Sequence, residues 1–188
     1  MATVYRILSI DPPVSQADLT AYKTLRLTAL QTDPAAFSST YAREAAFPED
    51  VWRQRLDSPL KQVLIASDSE GGWIGTAWII GPSGMPPAAL APFEEAGLGA
   101  KWTTYGLFGM WVHPAHRGKG VGKRLVDACL DWARTNIDTK LSTGLERVAV
   151  LLVRNDNVAA RVLYSRAGFT ELGEVSSSEG ETWMMAKI

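Results

Sequence analysis

The stretch from Tyr105 to Trp132, YGLFGMWVHPAHRGKGVGKRLVDACLDW, constrains this chain most. It reads as an apolar strand, a glycine-rich turn and an amphipathic helix. The strand is expected over Leu107–Val112 and ends before Pro114, which cannot donate to a sheet ladder. The helix is expected over Gly120–Thr135. Val121, Leu125, Ala128, Cys129 and Trp132 recur on it at spacings of three and four, with Arg124, Asp127, Asp131 and Arg134 opposite. Between strand and helix, Gly118, Gly120 and Gly122 let the backbone approach a ligand closely. The first-turn amides of the helix have no intrahelical acceptor and point outward. Cations are disfavoured at a helix N-terminus, yet Arg117, Lys119, Lys123 and Arg124 crowd this one. A bound anion, a phosphate or pyrophosphate, reconciles the two; a glycine-rich turn with solvated basic residues is the alternative.

Spacing narrows the ligand. A P-loop requires G-x-x-x-x-G-K-[ST]. Here the glycine spacing is one residue short, and Arg124 stands where a hydroxyl would meet magnesium. A dinucleotide fingerprint requires G-x-G-x-x-G, whereas this turn is G-x-G-x-G and no N-terminal β-α-β unit surrounds it. A net charge of -1 gives no electrostatic case for nucleic acid or a membrane surface. The one cysteine, Cys129, excludes an intrachain disulfide and a cysteine-built zinc site, and it falls on the apolar helix face. No signal peptide and no apolar run near ~20 residues is apparent, so a cytoplasmic protein is expected.

The length of 188 residues suits one domain, 1–188, and neither a repeat nor an interdomain linker is visible. In order, the chain predicts a strand over Val4–Ile10 and a helix capped by Ser15 and running to Thr32. A helix over Pro48–Asp57 and strands over Lys61–Asp68 and Trp73–Ile80 follow. Gly81–Lys101 reads as a long irregular connection, a lid, binding loop or surface excursion, in which Leu90–Ala96 can form one helical turn. Glu146–Val153 reads as a strand covered on both faces. A helix over Asn157–Ala167 ends on Gly168, and strands over Thr170–Val175 and Thr182–Ile188 close the chain. The alternation gives an α/β or α+β fold around a mixed sheet.

The helix after Glu146–Val153 carries a second pattern, N-x-x-A-x-x-x-Y-x-x-x-G-F, at Asn157, Ala160, Tyr164, Gly168 and Phe169. The first three share one helical face. Taken alone, a capping asparagine and a half-buried tyrosine would account for it. Together with R-x-x-G-x-G at Arg117, Gly120 and Gly122, it resembles the GNAT superfamily of acyl-CoA-dependent N-acetyltransferases, over roughly Gly106–Phe169.

The resemblance implies a splayed mixed sheet of about seven strands flanked by about four helices, with acetyl-CoA lying where the fourth and fifth strands part. It implies direct acetyl transfer to a primary amine in a ternary complex, without a metal. A small-molecule acceptor is the first expectation; protein amino groups, or acyl-CoA binding without catalysis, are the alternatives. The backbone of Arg117, Gly118, Lys119, Gly120, Val121, Gly122 and Lys123 would cradle the pyrophosphate. Val112 would pair with the pantetheine arm, Met110 N–H would face the acetyl carbonyl, and Asn157 would contact the pantetheine. Tyr164 would protonate the departing thiolate; a phenol near ~10 needs no strong perturbation to do so. The terminal strands can mediate a homodimer, as in some relatives. One position departs from the pattern. Many members place a glutamate base four residues before the Met110 position, where this chain has Gly106. Glu44, Glu94 and Glu95, and less so His113 and His116, are the remaining candidates, and water relay is the alternative to any of them.

Overall fold

The computed structural model describes residues 4–136, 138 and 144–188. Seven strands are ordered β1-β2-β3-β4-β5-β7-β6 in one mixed sheet. They are β1 (Arg6–Ile10), β2 (Lys61–Ser67), β3 (Trp73–Ile80), β4 (Trp102–Val112), β5 (Glu146–Arg154), β6 (Thr170–Glu171) and β7 (Glu181–Lys187). The helices are α1 (Gln16–Thr32), α2 (Tyr41–Ala45), α3 (Glu49–Gln54), α4 (Pro87–Glu95), α5 (Val121–Thr135) and α6 (Val158–Arg166). Six helices therefore stand among the described residues where about four were expected.

The chain forms two compact units, Met1–Trp78 with Gly109–Leu125, and Ile79–Phe108 with Val126–Ile188. In the first unit, Ser15 caps α1 by accepting from Asp18 N–H at 3.0 Å. The helix buries Leu19, Tyr22, Leu25 and Ala29 against Trp52, Leu56, Val63, Ile65 and Trp111. β1 pairs antiparallel with β2, from Arg6↔Ser67 to Ile10↔Val63. Glu44 on α2 is fully buried and ties three helices together. It accepts from Arg26 Nε at 3.0 Å and Nη2 at 2.7 Å, and its Oε2 lies 3.1 Å from Arg55 Nη1. Charge-assisted pairs of this kind are strong where water is excluded.

In the second unit, β4 pairs parallel with β5 over Trp102↔Glu146 to Gly106↔Val150. That ladder ends at Gly106 while β4 continues to Val112. β5 pairs antiparallel with β7 along Val148↔Lys187 to Arg154↔Glu181. Arg147 and Tyr105 close the C-terminal end of α5: Tyr105 O–H donates to Asn136 C=O at 2.6 Å, and Arg147 donates to the carbonyls of Ala133 and Asn136. Carbonyls left over at the end of a helix are thus satisfied by side chains.

Three elements differ from expectation. The irregular connection is instead a 3-10 turn over Pro82–Gly84 followed by α4. Pro87 sits at the first helical position, where its fixed φ is suited and its missing N–H costs nothing. Phe93 of α4 is 1% exposed, and its ring lies 4.8 Å from Trp183 and 6.3 Å from Trp102 between centroids. This segment is packed by an aromatic anchor, so its description as an irregular loop or excursion is wrong. β4 begins at Trp102 rather than Leu107, because Thr103, Thr104 and Tyr105 are themselves strand formers. The strand expected over Thr170–Val175 shrinks to two residues.

Candidate functional site

Three supports hold the end of β4. His113 N–H donates to Ile74 C=O at 2.8 Å, Trp111 Nε1 donates to Asp33 at 2.6 Å, and Arg117 pairs with the same Asp33. Burial pushes the Asp33 carboxyl upward, but the hydrogen bonds from Trp111 and Arg117 and the charge of Arg117 outweigh it and hold the group below its ordinary value. Arg117 Nε also donates to Val112 C=O at 2.8 Å. The turn then passes Gly118 and Gly120, with φ of 73° and 78°. These left-handed values favour glycine, and a Cβ at either position would meet no atom within 4 Å. The first bond into α5 runs from Arg124 N–H to Gly120 C=O at 3.2 Å. The amides of the preceding turn therefore have no intrahelical acceptor, and two of its residues are left-handed, the backbone arrangement from which anion sites are built.

The cations play a different part from the one expected. Arg117 is committed to Asp33 and Val112, Lys119 Nζ donates to Ala115 C=O at 2.9 Å, and Arg124 donates to Tyr5 C=O at 2.8 Å. These three side chains brace the turn. Below the turn, α5 buries Val121, Leu125, Val126, Cys129, Leu130 and Ala133. Ala128 and Trp132, expected in the stripe, are only half-buried.

Upstream, Gly109 has a φ of 61°, the one left-handed residue inside β4. A Cβ there would overlap the indole of Trp78. A left-handed residue inside a strand departs from strand geometry just before Met110. Sequence reasoning passed over Gly109, although a glycine inside an apolar strand is the available signal.

On α6, Asn157 is the N-cap and its Oδ1 accepts from Ala160 N–H at 3.1 Å. The capping explanation therefore holds, and it occupies only the oxygen of the amide. Tyr164 is 7% exposed and packs against Phe169, with ring centroids 5.9 Å apart. Burial, then the neighbouring Cys129, push its phenol well above its ordinary value, so the perturbation is larger than the sequence suggested. A shift in this direction makes the hydroxyl a weaker acid than an ordinary phenol. Cys129 is fully buried and its thiol is pushed up by the same cause, which leaves no thiolate for nucleophilic chemistry.

The position of the expected base is filled. A Cβ on Gly106 would stand 2.5 Å from Met85 Sδ and within the Phe108 ring's contact radius. Glu44 is no substitute, because both arginines already hold its carboxylate. Glu94 and Glu95 are exposed on α4. His113 accepts from Ala115 N–H at 3.3 Å, and His116 Nδ1 lies 3.2 Å from Tyr5 Oη.

Comparison with known proteins agrees with this geometry. The acetyltransferase (GNAT) family model matches residues 27–169. The chain is 31% identical to the N-alpha-acetyltransferase RimI of Mycobacterium tuberculosis over 127 residues, covering 68% of this chain and 63% of that protein. It spans 25% and 27% of two further curated relatives. Among solved structures, the GNAT domain of S. lividans PAT superposes with a TM-score of 0.66 at 18% identity, covering 100% of this chain and 96% of that one. Spermidine N-acetyltransferase of Vibrio cholerae, solved with CoA and spermine, superposes at 0.57 and 17% identity, covering 98% and 95%. The family match begins within α1 and takes in both the glycine turn and α6, and on that match this chain belongs to the acetyltransferase (GNAT) family.

Proposed function

We propose that the chain, acting as one catalytic domain, transfers an acetyl group from acetyl-CoA directly to a primary amine. The observation that carries this reading is the left-handed Gly118–Gly120 turn, whose amides have no intrahelical acceptor, opening α5. The amides of Gly118, Lys119, Gly120, Val121, Gly122 and Lys123 cradle the pyrophosphate, whereas Arg117 N–H already donates to Pro114 C=O at 3.2 Å and drops out of the cradle. Val112 extends toward the pantetheine in strand-like fashion, and Asn157 offers it the amide nitrogen that capping leaves unused. Met110 N–H, next to the left-handed Gly109, polarises the thioester carbonyl and stabilises the oxyanion as the amine attacks. The C–S bond then breaks, and the sulfur takes the proton of the Tyr164 hydroxyl. The amine loses its own proton to water, since the place of a strand carboxylate is taken by Phe108 and Met85. A small-molecule acceptor is our first reading, supported by the spermidine N-acetyltransferase among the similar structures; the N-alpha-acetyltransferase among the relatives supports protein amino groups instead.

The filled Gly106 position also favours a second reading, an acyl-CoA-binding module without catalysis. Thiol release from acetyl-CoA with a mixed panel of small amines and peptides, run beside calorimetric CoA binding, separates the two. Amine-dependent release supports the transferase. CoA binding without release leaves the module, and no CoA binding refutes both.

A further inference from the structure

Lys61, the first residue of β2, is half-buried with its Nζ 5.5 Å from the centroid of Trp78. Trp78 is the side chain that fills the space over Gly109, next to Met110. Arg55, just after α3, lies over Phe47 and Trp52, 5.4 Å from each ring. Lys23 of α1 stands 6.0 Å over Trp52 from its own side, and Arg26 lies 4.4 Å over Phe37. One carboxylate serves this group, and Glu44 spends it on Arg26 and Arg55. Among the described residues no carboxylate pairs with Lys61. Burial, then the like charge of Arg55, push its pKa down to about 8. A partly desolvated cation beside another cation is costly unless an anion joins it.

We infer that Lys61 and Arg55 form the anchor for an anionic group, a carboxylate or phosphate, carried by the acceptor amine. This inference rests on the proposed transfer at Met110, because it is the Trp78–Gly109 contact that sets the anchor beside that residue. The aromatic floor of Trp78 and Phe47 takes the apolar stem between amine and anion. A polyamine would instead bring positive charge to positive charge and be rejected. The anion restores the proton affinity of Lys61, so binding is strong while Lys61 is charged and weakens as pH rises through about 8. The charged group bearing on that titration is Arg55, whose own partner is Glu44.

The test compares kcat/KM for matched acceptors: glycylglycine against its amide, phosphoethanolamine against ethanolamine, and a propanediamine. The wild-type protein is expected to favour the anionic member of a pair by on the order of tenfold to a hundredfold. Its KM for that member should climb above pH 8. Preference confined to the first pair assigns a carboxylate, and preference confined to the second a phosphate. Lys61→Met should collapse the ratio toward one, and Lys61→Arg should keep it while removing the pH dependence. Ratios near one in both wild-type pairs, a preference for the diamine, or a ratio that survives Lys61→Met overturns the anchor. CoA affinity, measured on the same samples, reports on the cofactor reading separately. If CoA binds and no amine is acetylated, transfer fails and the anchor falls with it; if the neutral amines react as well as the anionic ones, only the anchor fails.

Discussion

Replacing Glu44 with Ala should destabilise the protein by about 3 kcal/mol, at the low end for breaking a buried ion pair. Its carboxylate is fully buried, while the side chains of Arg26 and Arg55 are 9% and 29% exposed. After the substitution Arg55 still reaches water, and Arg26 does not. The loss is therefore mainly the cost of one stranded guanidinium plus its two hydrogen bonds to Glu44. For a chain of this length 1 kcal/mol corresponds to roughly 2–4 °C, so the midpoint should fall by roughly 6–12 °C. Urea unfolding followed by tryptophan fluorescence measures the free energy. A second arm replaces Arg26 with Met alongside Glu44→Ala, and part of the loss should return because no charge is then stranded. The pH dependence has a definite sign. Burial pushes the Glu44 carboxyl up, but the hydrogen bonds and charge of Arg26, the Ser39 hydrogen bond and the charge of Arg55 prevail and hold it below its ordinary value. Its contribution is thus complete above the ordinary carboxylate range and is lost as pH falls through the lower folded value. A loss under about 1 kcal/mol, or an unaltered acid limb, would refute the reasoning.

Replacing Tyr164 with Phe removes the proposed thiolate acid and should lower turnover by on the order of a hundredfold or more while acetyl-CoA affinity holds; steady-state kinetics with calorimetry decides, and unchanged turnover takes Tyr164 out of that role. Replacing Gly120 with Val imposes strain of about 1–2 kcal/mol at a φ of 78° and sets a branched side chain against the bound phosphate. CoA binding should weaken at least tenfold, and normal affinity by calorimetry removes the turn from the cofactor site. Replacing Gly106 with Glu should lower stability by about 1–3 kcal/mol through overpacking against Met85 and Phe108, without raising activity; a stable, faster enzyme would show that the position still accepts a base.

Local chemistry was legible in the sequence wherever it was decided locally. Ser15 three residues before Asp18 announced the start of α1, the bounds of β3 followed from its apolar run, and Gly168 marked the end of α6. The glycine turn was legible because only glycine serves at a φ of 73° or 78°. Partnerships across distance were not. Nothing in the order of residues says that Arg26 meets Glu44, or that Arg117 turns to Asp33, eighty-four positions away, rather than to a ligand. The connection after β3 misled most: Gly81–Lys101 reads as irregular, whereas Pro87 starts α4 within it. Whether Gly106 was an opening or a filled place depended on Met85, twenty-one residues back, and no spacing rule links them.

The filling of Gly106 has a consequence for mutational paths. A carboxylate at this position is not one substitution away, because any side chain there collides with Phe108 and Met85 before it can act on an amine. Smaller residues at both neighbours would have to come first, and each alone would leave a cavity. The effects of the three positions are therefore strongly non-additive. An engineered route to a base at this position therefore crosses a less stable intermediate, whereas the proposed solvent relay asks for no change on the strand.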